Sequence, residues 1–202
     1  ANASSSLYTN TNSFVLGLVA SPLFVGYYVA AEKIFQAVHN LTAPVGVALY
    51  PYISKTKNVP LYKKIFYIMS IIMLFSIIII WLISPQLIKT FYGIEMLPAY
   101  KTLRIFCITV LFSSISGLIG YPLVAAMGYT KLVNRSLSVA AFLHINVLGL
   151  LYILGKLNIT TIAYLTILPY ATMLTIRVYG IIKYKLWSYK LKEEKCLSCS
   201  TK

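Results

Sequence analysis

Long apolar runs make up most of the chain, and short polar or proline-containing stretches separate them. A helix that crosses a bilayer needs about 20 predominantly apolar residues. Six segments fit this length, the first of them loosely because it is short and polar at its start. They are residues 6–20, 24–50, 61–83, 100–127, 136–154 and 159–182. The pattern therefore predicts an all-α, polytopic membrane protein with six transmembrane helices.

Prolines inside these runs predict where the helices bend. Pro44, Pro122 and Pro169 each lie within a predicted helix. There, proline removes a backbone donor and frees the carbonyl group one turn earlier. The third segment is expected to end before Pro85, with a short amphipathic loop after it.

The composition agrees with a membrane location. Of 202 residues, 59% are hydrophobic and 11% are charged, whereas soluble domains carry about 25% charged residues. The formal net charge is +14. In a soluble protein, such an excess would indicate nucleic acid as a partner, but membrane proteins concentrate Lys and Arg in their cytoplasmic loops.

The positions of the basic residues favour this second explanation. If six helices alternate in direction, one side of the membrane receives most of the basic residues: Lys55, Lys57, Lys63, Lys64, Lys131, Arg135, Lys183, Lys185, Lys190, Lys192, Lys195 and Lys202. The opposite side receives Lys89, Lys101, Arg104 and Lys156. The asymmetry predicts that both ends of the chain are cytoplasmic. It predicts a transmembrane lobe over residues 1–185, a basic cytoplasmic tail over 186–202, and no nucleic-acid partner.

The second segment carries a polar face in its middle. At about 100° per residue, the polar side chains fall on one broad side of the helix, with apolar residues around the rest. They are Glu32, Lys33, Gln36, His39 and Asn40. Ionisable groups at this depth usually face a bundle interior or a watery cavity. Two interpretations stay open: a cavity lining, and a pairing of Glu32 with a lysine that locks helices together.

The first segment has a similar polar stripe, which includes Tyr8 and Asn12. This stripe either extends the same cavity wall or forms polar contacts between helices. At the start of the fourth segment, Lys101 and Arg104 lie one turn apart, where they either reach the headgroup region or contact a phosphate. His144 stands among apolar neighbours and is interpreted as a hydrogen-bonded core residue rather than a proton site.

Residues for catalysis are not grouped in this sequence. There is no glycine-rich phosphate loop, no paired carboxylates in an apolar segment and no His, Cys, Asp or Glu set with metal-ligand spacing. The residues therefore predict that the chain is not an enzyme and holds no metal or cofactor.

Two stretches resemble a known family. Residues 9–55 contain the block VGYYVAAEKI and the helix exit ALYPYISK, and residues 105–131 end in a turn of small residues, Gly and Lys. These features resemble Wzx-type O-antigen and polysaccharide flippases, which belong to the polysaccharide biosynthesis proteins of the MATE-like superfamily. The resemblance extends over about residues 5–185.

The resemblance implies a fold and a function. Members have about twelve transmembrane helices in two lobes, and this chain resembles the C-terminal lobe, so an N-terminal lobe is expected to be missing. They move undecaprenyl-pyrophosphate-linked oligosaccharides across the bacterial inner membrane by alternating access, coupled to an ion such as H⁺ or Na⁺. The AAEK match carries over Glu32 and Lys33 as cavity residues. Two alternatives are a drug or small-molecule exporter of the same superfamily and a membrane-embedded polysaccharide polymerase or acyltransferase.

Overall fold

The computed structural model describes the backbone of residues 2–188 and the side chains of residues 11–188. In this range the regular structure is entirely helical, which confirms the all-α prediction. The α-helices are α1 (Asn2–Val19), α2 (Pro22–Asn40), α3 (Ala43–Thr56), α4 (Val59–Tyr92), α5 (Ala99–Ile119), α6 (Thr130–Ile153), α7 (Ile159–Leu165) and α8 (Ile167–Lys183). Two 3₁₀ turns, Ile94–Met96 and Leu186–Ser188, and a π-helical turn, Gly120–Ala125, complete the path.

Four helical stretches are long and apolar enough to cross a membrane. They are Val59–Tyr92, Ala99–Ala125, Thr130–Ile153 and Ile159–Lys183. These apolar helices indicate a membrane protein. The first helix and the broken α2–α3 path are not among the four, so a full set of six spans stays a prediction.

Helix α5 occupies the centre of the bundle and packs against α2, α4 and α8. Its inner residues, such as Phe106 and Leu118, are almost fully buried. Helix α4 lies outside and is mostly exposed, with Ile71 and Phe75 among its outward side chains. An apolar helix that stays exposed is stable in lipid, where contact with hydrocarbon costs nothing.

The segments that carry most of the basic residues come together at one end of the bundle. This end, called the basic end below, is formed by residues 53–66, 120–135 and 179–188. Lys57 Nζ donates a hydrogen bond to the Ala126 carbonyl, and the rings of Tyr129 and Tyr184 stack with centroids 4.1 Å apart. The basic segments are therefore grouped at one end, as helices that alternate in direction predict. The side of the membrane on which this end lies stays a prediction.

Each of the three predicted bends has a local irregularity beside its proline. Pro44 lies in the first turn of α3, just after the break that separates it from α2. Pro122 lies within the π-helical turn, and α7 gives way to α8 three residues before Pro169. Pro44 and Pro169 therefore lie in the first turns of α3 and α8, where a backbone N–H has no partner within its own helix and proline costs little.

One predicted helix end is wrong. Helix α4 continues through Pro85 to Tyr92 instead of ending near residue 83. Pro85 leaves the Trp81 carbonyl without its usual N–H donor, and the Ser84 hydroxyl donates to that carbonyl at 2.9 Å. A serine hydroxyl can replace the lost backbone donor, and this lets an apolar helix tolerate proline.

Pro122 shows the same compensation between two helices. The carbonyl that would have accepted its N–H belongs to Leu118. The hydroxyl of Tyr62, on α4, donates to this carbonyl at 3.0 Å in a buried position. Tyr62 itself is fully buried, so this bond ties the start of α4 to the irregular end of α5.

The first part of the predicted tail packs onto the lobe. Leu186 is buried, and the ring of Trp187 meets Tyr62, Phe66 and Tyr67 edge to face. The rest of the predicted tail, residues 189–202, lies outside the described residues.

Replacing Tyr62 by Phe should destabilise the lobe by about 1–2 kcal/mol, because it leaves a buried carbonyl with one donor fewer. Thermal unfolding in detergent would measure the loss. Tyr67→Phe is the matched control, since Tyr67 lies on the same helix and is 54% exposed.

The role of Pro122 can be tested in the same assay. In a Pro122→Ala background the new backbone N–H can serve the Leu118 carbonyl, so Tyr62→Phe should cost less there. Equal losses in both backgrounds would contradict the proposed compensation.

Candidate functional site

A cavity of about 440 Å³ lies between α2, α3, α5 and α8. The three irregular regions face it: Gly46 lines it near the first bend, Pro122 in the π-helical turn and Tyr170 after the last break. Bent helices cannot pack closely along their whole length, which explains why the space opens here.

Arg177 gives the cavity wall a positive charge. It lies on α8, lines the cavity and is only 4% exposed. Its Nε donates to Ser136 Oγ on α6 at 3.1 Å. Its Nη1 donates to the Ser116 carbonyl at 2.6 Å and to Ser116 Oγ at 3.0 Å, both on α5. One guanidinium group thus joins three helices, and its planar fork suits such divergent acceptors better than an ammonium group would.

Gly120 makes room for this arrangement. A Cβ atom at residue 120 would lie 2.7 Å from Arg177 Nη1, closer than real carbon and nitrogen atoms approach. Small residues at the spacings Ser113-x-x-x-Gly117 and Ser116-x-x-x-Gly120 ordinarily allow close helix packing. The structure adds a second use, because Ser116 accepts from the guanidinium group and Gly120 leaves the space it fills.

His39, on α2, contributes a second polar group to the cavity lining. Its Nδ1 lies 3.0 Å from Ser113 Oγ on α5. Its ring also stacks near Phe35 and lies 5.9 Å, centroid to centroid, from the ring of Tyr170. His39 is therefore held in place by α5 and α8 while it lines the cavity.

The cavity combines one charged region with apolar walls. Val47, Leu137 and Met173 supply apolar surface alongside Arg177. Among the described lining residues there is a guanidinium group and no carboxylate. This composition suits a molecule that has an anionic or polar group next to apolar or ring-shaped parts.

Glu32 lies in a second polar group, between α1 and α2, and does not line the cavity. It is 6% exposed and accepts a hydrogen bond from Ser13 Oγ at 2.8 Å. The adjacent Lys33 is exposed. The two neighbouring charges therefore occupy different environments, one inside the lobe and one on its surface.

Asn12 extends this second group to α6. It is buried, and its Oδ1 lies 2.9 Å from His144 Nε2. His144 is fully buried and also interacts with the backbone of Leu165, as the hydrogen-bonded core interpretation predicts. The side chain of Tyr8 lies outside the described residues.

The remaining predicted site residues lie at the surface of the lobe or at the end of the bundle opposite the basic end. Gln36 is half-buried and Asn40 is exposed, both on α2. Lys101 is exposed. Arg104 lies 4.5 Å from the Trp81 ring centroid, and its Nε donates to Ser84 Oγ at 3.1 Å. Of the predicted residues whose side chains the structure describes, only His39 lines the cavity, and contact of the others with substrate stays a prediction.

Arg177 is the residue that sequence analysis missed. It is the only charged residue between 159 and 182, which is the signal that could have found it, since charges inside apolar segments usually serve a function. It lies close to the predicted end of its segment, where a long cationic side chain ordinarily reaches the headgroup region. The sequence pattern alone does not show whether such an arginine lies inside the lobe or reaches the headgroup region.

The fold and the cavity define a helical membrane protein with a partly polar internal site. Residues 1–57 match the family model described as polysaccharide biosynthesis protein. This match covers α1, α2 and α3, and it indicates a role in polysaccharide synthesis or transport. No curated protein and no solved structure matches the chain.

Gly120→Ala should displace the Arg177 side chain and lower the unfolding free energy by about 2–4 kcal/mol, since it disturbs a buried charged group. Thermal unfolding in detergent would measure the change.

The control for this substitution is Gly149→Ala on α6, where a Cβ atom would meet nothing within 4 Å. It should be neutral or stabilise by up to about 1 kcal/mol, because alanine has the higher helix propensity. Similar losses for both variants would contradict the close approach of Arg177 to Gly120.

Proposed function

We propose that this chain is one lobe of a flippase for lipid-linked oligosaccharides, with an undecaprenyl-pyrophosphate-linked repeat unit as the substrate. A second, N-terminal lobe completes the transporter, and the two lobes alternate access across the bacterial inner membrane. The proposal is transport without a chemical step, so the chain is not assigned an enzymatic activity or a cofactor.

The cavity beside Arg177 is the observation that carries the proposal. A lipid-linked diphosphate has negative charge next to sugar rings and an apolar tail. The guanidinium group of Arg177 donates to Ser116 and Ser136, so in this proposal it attracts the diphosphate through its positive charge. The aromatic side chains of Tyr170 and Tyr121, which also line the cavity, offer flat surfaces for sugar rings.

The family match supports the same function from another direction. The matched segment supplies the α2–α3 wall of the cavity, including His39 and Gly46. A cation exporter of the same superfamily would need acidic groups in its cavity, but the described lining residues offer a guanidinium group instead.

The bends near Pro44, Pro122 and Pro169 give the lobe places to change shape. All three lie beside the cavity, so a change in any of them alters its width. Because proline has no N–H donor, fewer backbone hydrogen bonds must break when a helix bends beside it. In this proposal, closure of the cavity accompanies the rocking of one lobe against the other.

Glu32 is the proposed coupling residue. It is a buried carboxyl group beside Ser13, near the Asn12–His144 contact. A carboxyl group that alternates between charged and neutral forms changes the contacts between α1 and α2, which links H⁺ or Na⁺ binding to helix movement. Lys33, exposed on the same helix, would offer positive charge to the substrate from the surface.

Arg177→Gln in the complete transporter should reduce surface polysaccharide at least tenfold, because it removes the charge for the diphosphate. Lipid-linked repeat units should accumulate on the cytoplasmic side. Immunoblotting of polysaccharide and extraction of lipid-linked sugars would measure both.

Arg177→Lys tests the charge and the hydrogen-bond geometry of this side chain separately. It keeps the positive charge but loses the planar guanidinium group, so transport activity should be intermediate. Arg135→Gln, an exposed arginine on α6, is the matched control and should leave polysaccharide unchanged. Normal polysaccharide from the Arg177→Gln transporter at a normal protein level would refute the role of the cavity.

Glu32→Gln should abolish surface polysaccharide without lowering the protein level, because glutamine still accepts from Ser13 but cannot ionise. Glu95→Gln, at an exposed acidic residue in the 3₁₀ turn Ile94–Met96, should have no effect. Wild-type polysaccharide in the Glu32→Gln strain would exclude the proposed coupling role.

A further inference from the structure

The basic end carries an organised surface of lysines and aromatic rings, separate from the cavity. The 3₁₀ turn Leu186–Ser188 folds the end of α8 over the start of α4. There, the Trp187 ring has centroid distances of 5.6 Å to Phe66 and 6.2 Å to Tyr62. Lys63 Nζ lies 5.2 Å from the centroid of the Trp187 ring.

Lys183, one helical turn before Trp187, also lies over aromatic rings. Lys183 Nζ lies 5.8 Å from the ring centroids of both Tyr179 and Tyr184. Tyr184 in turn stacks on Tyr129 of the neighbouring turn. Two ammonium groups are thus fixed over aromatic rings at one edge of the bundle, which lowers the entropy they lose on binding an anion.

Lys185, between these two units, has an unusual backbone. Its φ angle is 51°, in the left-handed region that glycine or asparagine fills most easily. A lysine here carries a conformational cost that glycine would avoid, and its exposed side chain adds a third positive charge to the same turn. The acidic residues within 11–188 are Glu32 and Glu95, and neither lies at the basic end.

We propose that this surface, formed by Lys63, Lys183, Lys185 and Trp187, binds the phosphate group of an anionic phospholipid. Tyr and Trp rings favour the depth of the headgroups, where one side of the ring is apolar and the other is wet. Lysines at that depth attract anionic headgroups. The proposal is independent of the transported substrate and of the transport function.

The test uses the full chain with Trp81→Phe, which leaves Trp187 as the one tryptophan. The protein is placed in nanodiscs of equal parts phosphatidylglycerol and phosphatidylcholine. In one sample only the phosphatidylglycerol has brominated acyl chains, and in the other only the phosphatidylcholine. Bromine quenches nearby tryptophan fluorescence, so the ratio of quenching reports which lipid lies beside Trp187.

We expect stronger quenching by brominated phosphatidylglycerol. The affinity for phosphatidylglycerol relative to phosphatidylcholine should fall about fivefold in each of the variants Lys63→Gln, Lys183→Gln and Lys185→Gly. Lys185→Gly should leave thermal stability unchanged or improved, because glycine adopts the same backbone without cost, which separates lipid binding from folding. Lys156→Gln, an exposed lysine at the opposite end, should leave the ratio unchanged.

Equal quenching by the two lipids in the parent protein would overturn the proposal. So would an unchanged ratio in the combined Lys183→Gln and Lys185→Gly variant. Inorganic phosphate should not displace the lipid more than chloride at the same ionic strength. Displacement specific to phosphate would identify a site for a free anion instead of a lipid.

Discussion

The need to give every buried backbone carbonyl a donor governs how this lobe is assembled. Water cannot reach the apolar interior, so a carbonyl that proline leaves free must find a donor in the protein. The Ser84 hydroxyl donates to the Trp81 carbonyl, which Pro85 leaves without a donor. The Tyr62 hydroxyl donates to the Leu118 carbonyl, which Pro122 leaves without one. The first compensation keeps α4 continuous, and the second binds α4 to α5 where α5 becomes irregular.

The converse requirement, that a buried donor must find acceptors, explains the place of Arg177. Buried charge is costly unless hydrogen bonds surround it, and the irregular end of α5 offers Ser116 while α6 offers Ser136. Gly120 lacks the side chain that would block the approach. Consequently the bend that opens the cavity also positions the guanidinium group that gives the cavity its charge.

Much of the fold was predictable from the pattern of apolar residues. The all-helical fold, the irregularities near Pro44, Pro122 and Pro169, and the grouping of the lysine-rich turns follow from run length, proline chemistry and alternation. The end of α4 was not predictable, because it depends on whether a serine hydroxyl replaces the donor that Pro85 lacks. For the site, the polar face of α2 was visible from helical spacing, but its division between Glu32, directed to α1, and His39, directed to the cavity, was not.

The sequence by itself determined that the chain is an all-helical membrane protein with polar groups inside apolar helices, because these properties depend on composition and on periodicity along one helix. The tertiary structure decided which polar groups meet. Arg177 lies more than 40 residues from Ser136 and about 60 from Ser116 in the sequence, so their contact depends on how α5, α6 and α8 pack. Periodicity fixes the face of a helix on which a residue lies, whereas only packing fixes what that face meets.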